Sequence, residues 1–422
     1  MLYYNEQRLS STSLIKYIKV VHDMSLTLST KAQAVKPSST LAITAKAAEL
    51  RTQGIDVVGF GAGEPDFPTP ENICNAAIEA INTGFTKYTP ASGINDLKKA
   101  ISDKFKRFNN LNYEPDQIVI SNGGKHSLTN VFSVLLNPGD EVIIPAPYWL
   151  SYPEIVKLAG GVPVYVRGEK EQGYKVNVEQ LKAVTTSNTK ALILNTPSNP
   201  TGMIYTEEEL KAIADYVVEN DIYVVADEMY EHLVYNGKKH VSIASLGEEI
   251  YKRTITVSGL AKSYAMTGWR IGYTGSSKEI AKLMGSVQSH QTSNPNSIAQ
   301  KAAVEALNGD QSTVDMMIKE FDERRKYMFE RVSKMKYVST LEPDGAFYVF
   351  IDCTEILNKS YKGKKVETTS EMARILIEDY NVAVIPCADF GFEKNIRLSY
   401  AIKIETIDKG LTRIEKFLDD LN

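Results

Sequence analysis

Between Ser258 and Gly272 the chain reads Ser-Gly-Leu-Ala-Lys-Ser-Tyr-Ala-Met-Thr-Gly-Trp-Arg-Ile-Gly. An apolar run leads into this segment, so Lys262 sits among small residues just past a predicted strand end. A lysine partly buried there has its pKa lowered from ~10.4 towards neutrality, which makes the amine a usable nucleophile and base. Arg270 stands eight residues on, ahead of another apolar run, and suits a phosphate. A surface lysine beside a structural arginine is the plainer alternative, and the small-residue setting speaks against it. Ala226-Asp227-Glu228-Met229-Tyr230 ends a second apolar run. A carboxylate at that place is costly unless it meets a cation or a strong donor; a helix N-cap by Asp227 explains it equally well. Ser121-Asn122-Gly123-Gly124-Lys125 follows a strand and opens a helix. Its glycines either present backbone N–H groups to a phosphate or simply make a tight turn. Asn195-Thr196-Pro197-Ser198-Asn199-Pro200-Thr201-Gly202 also follows a strand; its prolines stiffen the backbone and Asn199 offers a directed amide, with an ordinary turn as the alternative.

These residues need elements to hold them. Strand-like runs fall at 118–121, 141–145, 162–166, 191–195, 222–226, 254–257 and 271–275, with helical patterns at 125–136, 152–159 and 207–220. Alternating strands and helices predict a mostly parallel, doubly wound α/β sheet. Ligands in such sheets sit at the carboxyl ends of strands, where the polar residues above lie. A helix is expected over 38–51 with Leu41, Ala45, Ala48 and Leu50 on one side, followed by a short strand at 57–60. Gly59 to Pro70 contains Gly61 and Gly63, but prolines follow where a dinucleotide fingerprint needs a glycine opening a helix, so this is an extended loop. Beyond 276 the pattern turns helical, with one run over 278–307 and another over 314–335. A strand pair (345–351, 395–400) and helices at 369–380 and 406–421 complete a second, α+β unit.

The 422 residues carry 48 Lys+Arg against 52 Asp+Glu, a net charge of −4, so the basic excess of a nucleic-acid binder is missing. No apolar run approaches the ~18 residues of a membrane helix. The scattered Cys74, Cys353 and Cys387 fit a reducing cytoplasm, and with five histidines they suggest no metal site. Residues 1–23 lack the clean apolar core of a signal peptide and read as an N-terminal extension: a short surface helix, a disordered segment, or an artefact of a start at Met24.

The segment Gly259–Gly272 resembles the pyridoxal-phosphate attachment signature of class I/II aminotransferases. The resemblance continues in order from Met24 to Asn422 through Ala62-Gly63-Glu64-Pro65-Asp66-Phe67, Lys87-Tyr88, Asn199-Pro200-Thr201-Gly202, Asp227-Glu228-Met229-Tyr230 and Arg397-Leu398-Ser399-Tyr400. It is strongest to the bacterial aspartate aminotransferase subgroup that includes prephenate aminotransferases. It implies a fold-type I transferase with a large domain at 72–315 and a small domain made of 24–71 and 316–422. It implies that Lys262 binds pyridoxal 5′-phosphate and shuttles the proton, and that Asp227 holds the pyridine nitrogen. Tyr230 and Asn199 would bond the ring oxygen, and Trp149 would stack on the ring. Gly123, Gly124 and Arg270 would take the phosphate, with Tyr88 reaching in from the second subunit of a homodimer. Arg397, helped by the Gly63 backbone, would clamp the substrate α-carboxylate; a structural ion pair is the alternative for Arg397. Lys125 would read a distal carboxylate, and Lys36 matches a position linked to prephenate use. Ser258 stands beside Gly259, which occupies the place of a phosphate-binding serine in some relatives. The implied activity is ping-pong transfer of the amino group of L-aspartate to 2-oxoglutarate in the cytoplasm. Rival readings are an alanine, aromatic or prephenate-specific aminotransferase, a C–S lyase, or a cofactor-sensing regulator.

Overall fold

Runs of Val, Ile and Leu build a seven-stranded sheet in this computed structural model, which describes residues 28–422. The strands are β1 (Ile118–Asn122), β2 (Glu141–Ala146), β3 (Val162–Arg167), β4 (Thr189–Asn195), β5 (Tyr223–Asp227), β6 (Thr254–Gly259) and β7 (Ile271–Gly275), in the order β1-β7-β6-β5-β4-β2-β3. β7 runs antiparallel to both neighbours, and the other pairs are parallel. Both faces are covered. Val142, Ile144, Ala191, Ile193 and Val225 pack under helices Gly124–Leu135, Ser151–Leu158 and Lys278–Gln291. Their neighbours Ile143, Leu192, Leu194, Val224 and Ala226 pack on the opposite side under Val178–Val184, Glu207–Glu219 and Glu248–Arg253. Alternate residues thus enter separate cores, which is why the strands read as unbroken apolar runs.

A smaller antiparallel sheet follows: β8 (Ser339–Thr340), β9 (Tyr348–Asp352), β10 (Ile385–Pro386) and β11 (Asn395–Ser399), in the order β10-β11-β9-β8. Helices Ser312–Val332, Thr369–Asp379 and Ile404–Asp419 contribute to the same core as its strands. Val58–Gly59 pairs in parallel with Val382–Ala383, which ties an early segment to the C-terminal part.

The chain divides into two units, one ending at Lys36 and one from Pro37 to Asn422. Within the described part of the first, Thr30–Gln33 forms one helical turn capped by the Ser29 side chain, and Lys36 is exposed. The extension at 1–23 lies outside the described residues.

Two expectations are corrected. The run 278–307 is two helices, Lys278–Gln291 and Ser297–Asn308. Pro295 offers no N–H and disfavours helix at the residue before it, and the Asn296 side chain caps the second helix at Ala299 N. The helix at Ser39–Thr52 turns Ile43, Ala47 and Leu50 inward against Val57, Ile377 and Ala383. Leu41 is 68 % exposed, and Ala45 and Ala48 also face outward, so the apolar face is rotated from the expected one. Helices Glu71–Asn82 and Asn95–Asn109 had no counterpart in the sequence reading.

Candidate active site

The sheet topology gathers the candidate residues along one edge. β1, β2, β4, β5 and β6 all end there, leading to Gly123, Trp149, Asn199, Asp227 and Lys262. Because β7 is antiparallel, it starts at the same edge, with Arg270 immediately before it. Register confirms the convergence: Asn122 pairs with Ile271, Gly259 with Gly272, and Asp227 with both Asn195 and Val257. A cleft of about 280 Å³ opens at this edge, and Gly63, Gly124, Lys125, Trp149, Asn199, Asp227, Tyr230, Lys262, Arg270 and Arg397 line it.

Gly123 and Gly124 meet the Arg270 side chain. Gly123 has φ +86°, and a Cβ on it would run into the Arg270 guanidinium. Gly272 must also lack a side chain, since a Cβ there would strike the backbone of Gly123 and Gly124. The result is a helix N-terminus with open backbone N–H groups beside a guanidinium, a ready anion cradle. Arg270 donates to Thr267 O at 2.9 Å and, among the described residues, is joined to no carboxylate.

Lys262 lies on a turn after β6, and its Nζ donates to the Gly63 carbonyl. Burial, then the nearby Arg397 charge, lower its pKa to about 8. Asp227 is buried at the end of β5, and its carboxylate accepts from Tyr152 Oη (2.6 Å) and Met229 N (3.2 Å). Burial raises its pKa, as expected of an anion awaiting a partner. No helix starts at Asp227, so the N-cap alternative falls.

Hydrogen bonds continue from strand end to strand end. Asn195 Nδ2 donates to Asp227 O (2.9 Å), Asn199 N to Asn195 Oδ1 (2.8 Å), and Arg397 Nη1 to Asn199 Oδ1 (2.8 Å). That orientation of Asn199 leaves its Nδ2 to donate to a ligand. Arg397 sits on β11 and is 2 % exposed. Its Nη2 donates to Gly61 O (3.1 Å), its Cζ lies 4.3 Å from the Tyr348 ring centre, and its Nε has no partner among the described residues. Among the described residues it forms no ion pair, so the structural alternative also falls. A buried guanidinium with no acid beside it among the described residues is able to receive an anion.

Tyr230 Oη is 2.9 Å from Tyr348 Oη, and burial pushes both phenols up, so each keeps its proton. Trp149 meets Tyr152 edge to face at 5.4 Å, and Lys125 Nζ stands 5.0 Å from the Trp149 ring centre. Desolvation, then the Arg270 charge, lower the Lys125 pKa. Ser258 takes no part in the cleft: it is buried and donates to Glu231. A serine at 259 has no room either, since a Cβ there would lie 2.9 Å from Ile271 O and 3.0 Å from Met229 Cε. Tyr88 is 91 % exposed and does not line this cleft.

Several wall residues were not singled out as site residues in the sequence: Ser38, Thr40 and Leu41 at the start of a helix, with Asn195, Tyr152 and Tyr348. A lone tyrosine among 23 has no spacing to mark it.

Among the described residues no helix is long and apolar enough to cross a membrane. The family model for class I and II aminotransferases matches residues 55–414. The aspartate aminotransferase of Bacillus sp. strain YM-2 is 49 % identical over 391 residues, 93 % of this chain and 99 % of that protein. A probable aspartate/prephenate aminotransferase of Rhizobium leguminosarum bv. phaseoli is 47 % identical, over 91 % of this chain and 96 % of that one. Among solved structures, the aspartate aminotransferase of Rhizobium meliloti superposes with a TM-score of 0.91 at 40 % identity, covering 94 % of this chain and all of that one. The Thermus thermophilus aspartate aminotransferase with maleate gives 0.88 at 42 %, covering 93 % and all respectively. With a desolvated lysine, an anion cradle and an unpaired arginine at one sheet edge, and with these likenesses over nearly its whole length, the chain belongs to the class I and II aminotransferases, with their fold-type I architecture.

Proposed function

We propose that this aminotransferase uses pyridoxal 5′-phosphate to move the amino group of L-aspartate to 2-oxoglutarate. One observation carries the reading: a buried guanidinium without an acid partner, Arg397, lines the same cleft as a lysine whose amine is half uncharged near pH 8. The residues present fit the cofactor. Gly123, Gly124 and Arg270 would hold its phosphate in the cradle that a Cβ would fill. Asp227 would face the ring nitrogen, Tyr230 and Asn199 the ring oxygen, and Trp149 the ring face. Bound there, pyridoxal phosphate supplies an aldehyde carbon for the lysine amine and a ring that takes up electrons when an amino acid loses its α-proton.

The chain's own residues account for the rest. Tyr152 and Met229 N–H hold the Asp227 carboxylate in one orientation, so its charge is fixed before any ligand arrives. Lys262 Nζ, neutral at mildly alkaline pH, accepts the α-proton and returns it. Arg397 binds the α-carboxylate, with its own geometry fixed by Asn199 and Gly61. Tyr88, exposed on each chain, would complete the cradle of a second copy, which makes the homodimer part of the proposal. The division into a large domain at 72–315 and a small domain of 24–71 with 316–422, and a place in the cytoplasm, belong to the same reading.

Lys125 carries the choice of a dicarboxylate, since it places a cation beside Trp149 at the cleft wall. Lys125→Ala is expected to raise KM for L-aspartate about tenfold or more, with KM for L-alanine changed less than about twofold. Steady-state kinetics on both substrates decides it; equal effects would remove Lys125 as the reader of the distal carboxylate. Prephenate is a second proposed amino acceptor, supported by Lys36 and by the aspartate/prephenate names of several relatives.

A further inference from the structure

Behind the strand ends lies a second polar cluster that this chemistry does not use. Glu228, Glu231, Lys104, Asn109, Ser242 and Ser258 are all buried. One carboxylate oxygen of Glu231 accepts Lys104 Nζ and Ser258 Oγ (2.5 Å), and the other accepts Asn109 Nδ2 (2.7 Å). Glu228 accepts Ser242 Oγ (2.5 Å), His240 Nε2 (2.9 Å) and Asn109 Nδ2 (3.0 Å). Lys104 Nζ also donates to Asn109 Oδ1 at 2.9 Å. Glu228, Glu231 and His240 have the spacing of a metal site, but the Lys104 ammonium already supplies the cation there. Burial pushes the Glu231 carboxyl up, yet the Lys104 charge beside it outweighs this and holds it below the usual carboxylate range.

Such a pair is a poor device for stability, because desolvating both ions offsets most of their attraction. What it does supply is direction, since each hydrogen bond fixes one segment against another. Lys104 and Asn109 belong to the helix Asn95–Asn109, which is anchored in the core by Leu97, Ile101 and Phe105. Glu231 follows Tyr230 directly, and its N–H bonds back to Glu228 O at 2.9 Å. Ser258 stands four residues before Lys262, and Glu228 N bonds Val257 O at 2.8 Å. The helix, the turn carrying Tyr230 and the segment carrying Lys262 therefore meet on one carboxylate.

We propose that Glu231 is a positioning residue: clamped to the helix by Lys104 and Asn109, it sets Tyr230 and Lys262 against each other by way of Ser258. The inference rests on the reading that Tyr230 and Lys262 act on bound pyridoxal phosphate. Two variants test it. Ser258→Ala cuts the link from Glu231 to β6, together with the Ser258 contact to the buried Tyr273 phenol. Glu231→Gln keeps the shape but replaces one acceptor oxygen by an amide donor that faces other donors. Each is purified, stripped of cofactor and compared with wild type in three measurements. These are pyridoxal phosphate affinity by quenching of intrinsic fluorescence, kcat and KM for L-aspartate after loading, and the thermal midpoint of the stripped protein.

Misplacement of reacting groups predicts kcat down about tenfold in Ser258→Ala and about a hundredfold in Glu231→Gln, with KM within about twofold of wild type. Cofactor affinity is expected to fall about tenfold in both, while the Ser258→Ala midpoint stays within ~3 °C of wild type. A folded Ser258→Ala protein with wild-type kcat and wild-type cofactor affinity would overturn the proposal, and this variant decides the matter alone if Glu231→Gln does not fold. A wild-type protein that binds no pyridoxal phosphate would overturn the underlying reading and this one with it. That failure appears in the wild type, whereas failure of the positioning role alone appears only in the variants.

Discussion

Lys262→Ala is expected to lower kcat by at least ~10⁴-fold, because in the proposed function one amine serves both as the point of attachment and as the base. The fold should tolerate the change. Among the described residues Lys262 Nζ makes one hydrogen bond, to the Gly63 carbonyl, and its burial disfavours its own charge. Removing it relieves that desolvation, so the thermal midpoint of the cofactor-free protein should not fall. The same burial predicts a pH dependence. Only the uncharged amine attacks an aldehyde, and the pKa of about 8 means that it is mostly charged below that pH and mostly neutral above it. The rate at which cofactor-free protein captures pyridoxal phosphate should therefore rise with pH through about 8 and then level off. Stopped-flow absorbance across that range checks both parts: the profile in the wild type and no capture at this position in Lys262→Ala. Turnover within tenfold of wild type in the variant would remove Lys262 from the chemistry.

Arg397→Leu is expected to lower kcat/KM for amino acids by ~10³-fold, the cost of deleting one partner of a desolvated, hydrogen-bonded charge pair. Pyridoxal phosphate affinity should change little, since the phosphate cradle proposed above is built from Gly123, Gly124 and Arg270, not Arg397. Arg397→Lys should recover only part of the loss. A lysine keeps the charge, but one ammonium on a flexible stem cannot reproduce the fork that reaches Asn199 Oδ1 and Gly61 O together. Kinetics on L-aspartate and on a monocarboxylic amino acid should show the same fractional loss for both, because the α-carboxylate is common to them. A loss confined to aspartate would move Arg397 to the distal carboxylate instead.

The site was legible in the sequence where a residue type stood at an unusual place in a pattern. Asp227 ends an apolar strand, Lys262 follows one among small residues, and Gly123-Gly124 opens a helix; the sequence leaves a bland alternative for each, and the fold brings Asp227, Lys262 and Gly124 to one cleft. The parallel sheet was legible for the same reason, since strands buried on both faces read as unbroken apolar runs. Other features depend on long-range contacts. Tyr152 reaches Asp227 from 75 residues away and Tyr348 reaches Tyr230 from 118 residues away, and neither has a spacing that announces it. The Glu231 cluster is similar: Lys104 and Asn109 look like the polar side of a surface helix, yet the fold buries them. The divided helix is different. Asn294-Pro295-Asn296 carries its own break signal, and reading 278–307 as continuous gave too much weight to helix-forming residues on either side. The helix at Ser39–Thr52 shows the opposite weakness: its alanines fit more than one face, and only packing against Ile377 and Ala383 chooses Ile43, Ala47 and Leu50. Leu41 is thereby left at the mouth of the cleft.

The central claim is that Lys262 holds pyridoxal phosphate and that aspartate passes its nitrogen to it. The most direct measurement is the absorption spectrum of the protein loaded with pyridoxal phosphate, recorded before and after adding L-aspartate with no oxo acid present. The account predicts a visible band on loading, absent in Lys262→Ala, which aspartate replaces by the near-ultraviolet absorption of pyridoxamine phosphate. A visible band that aspartate leaves unchanged would contradict the substrate, and a wild-type protein that develops no band on loading would contradict the account as a whole.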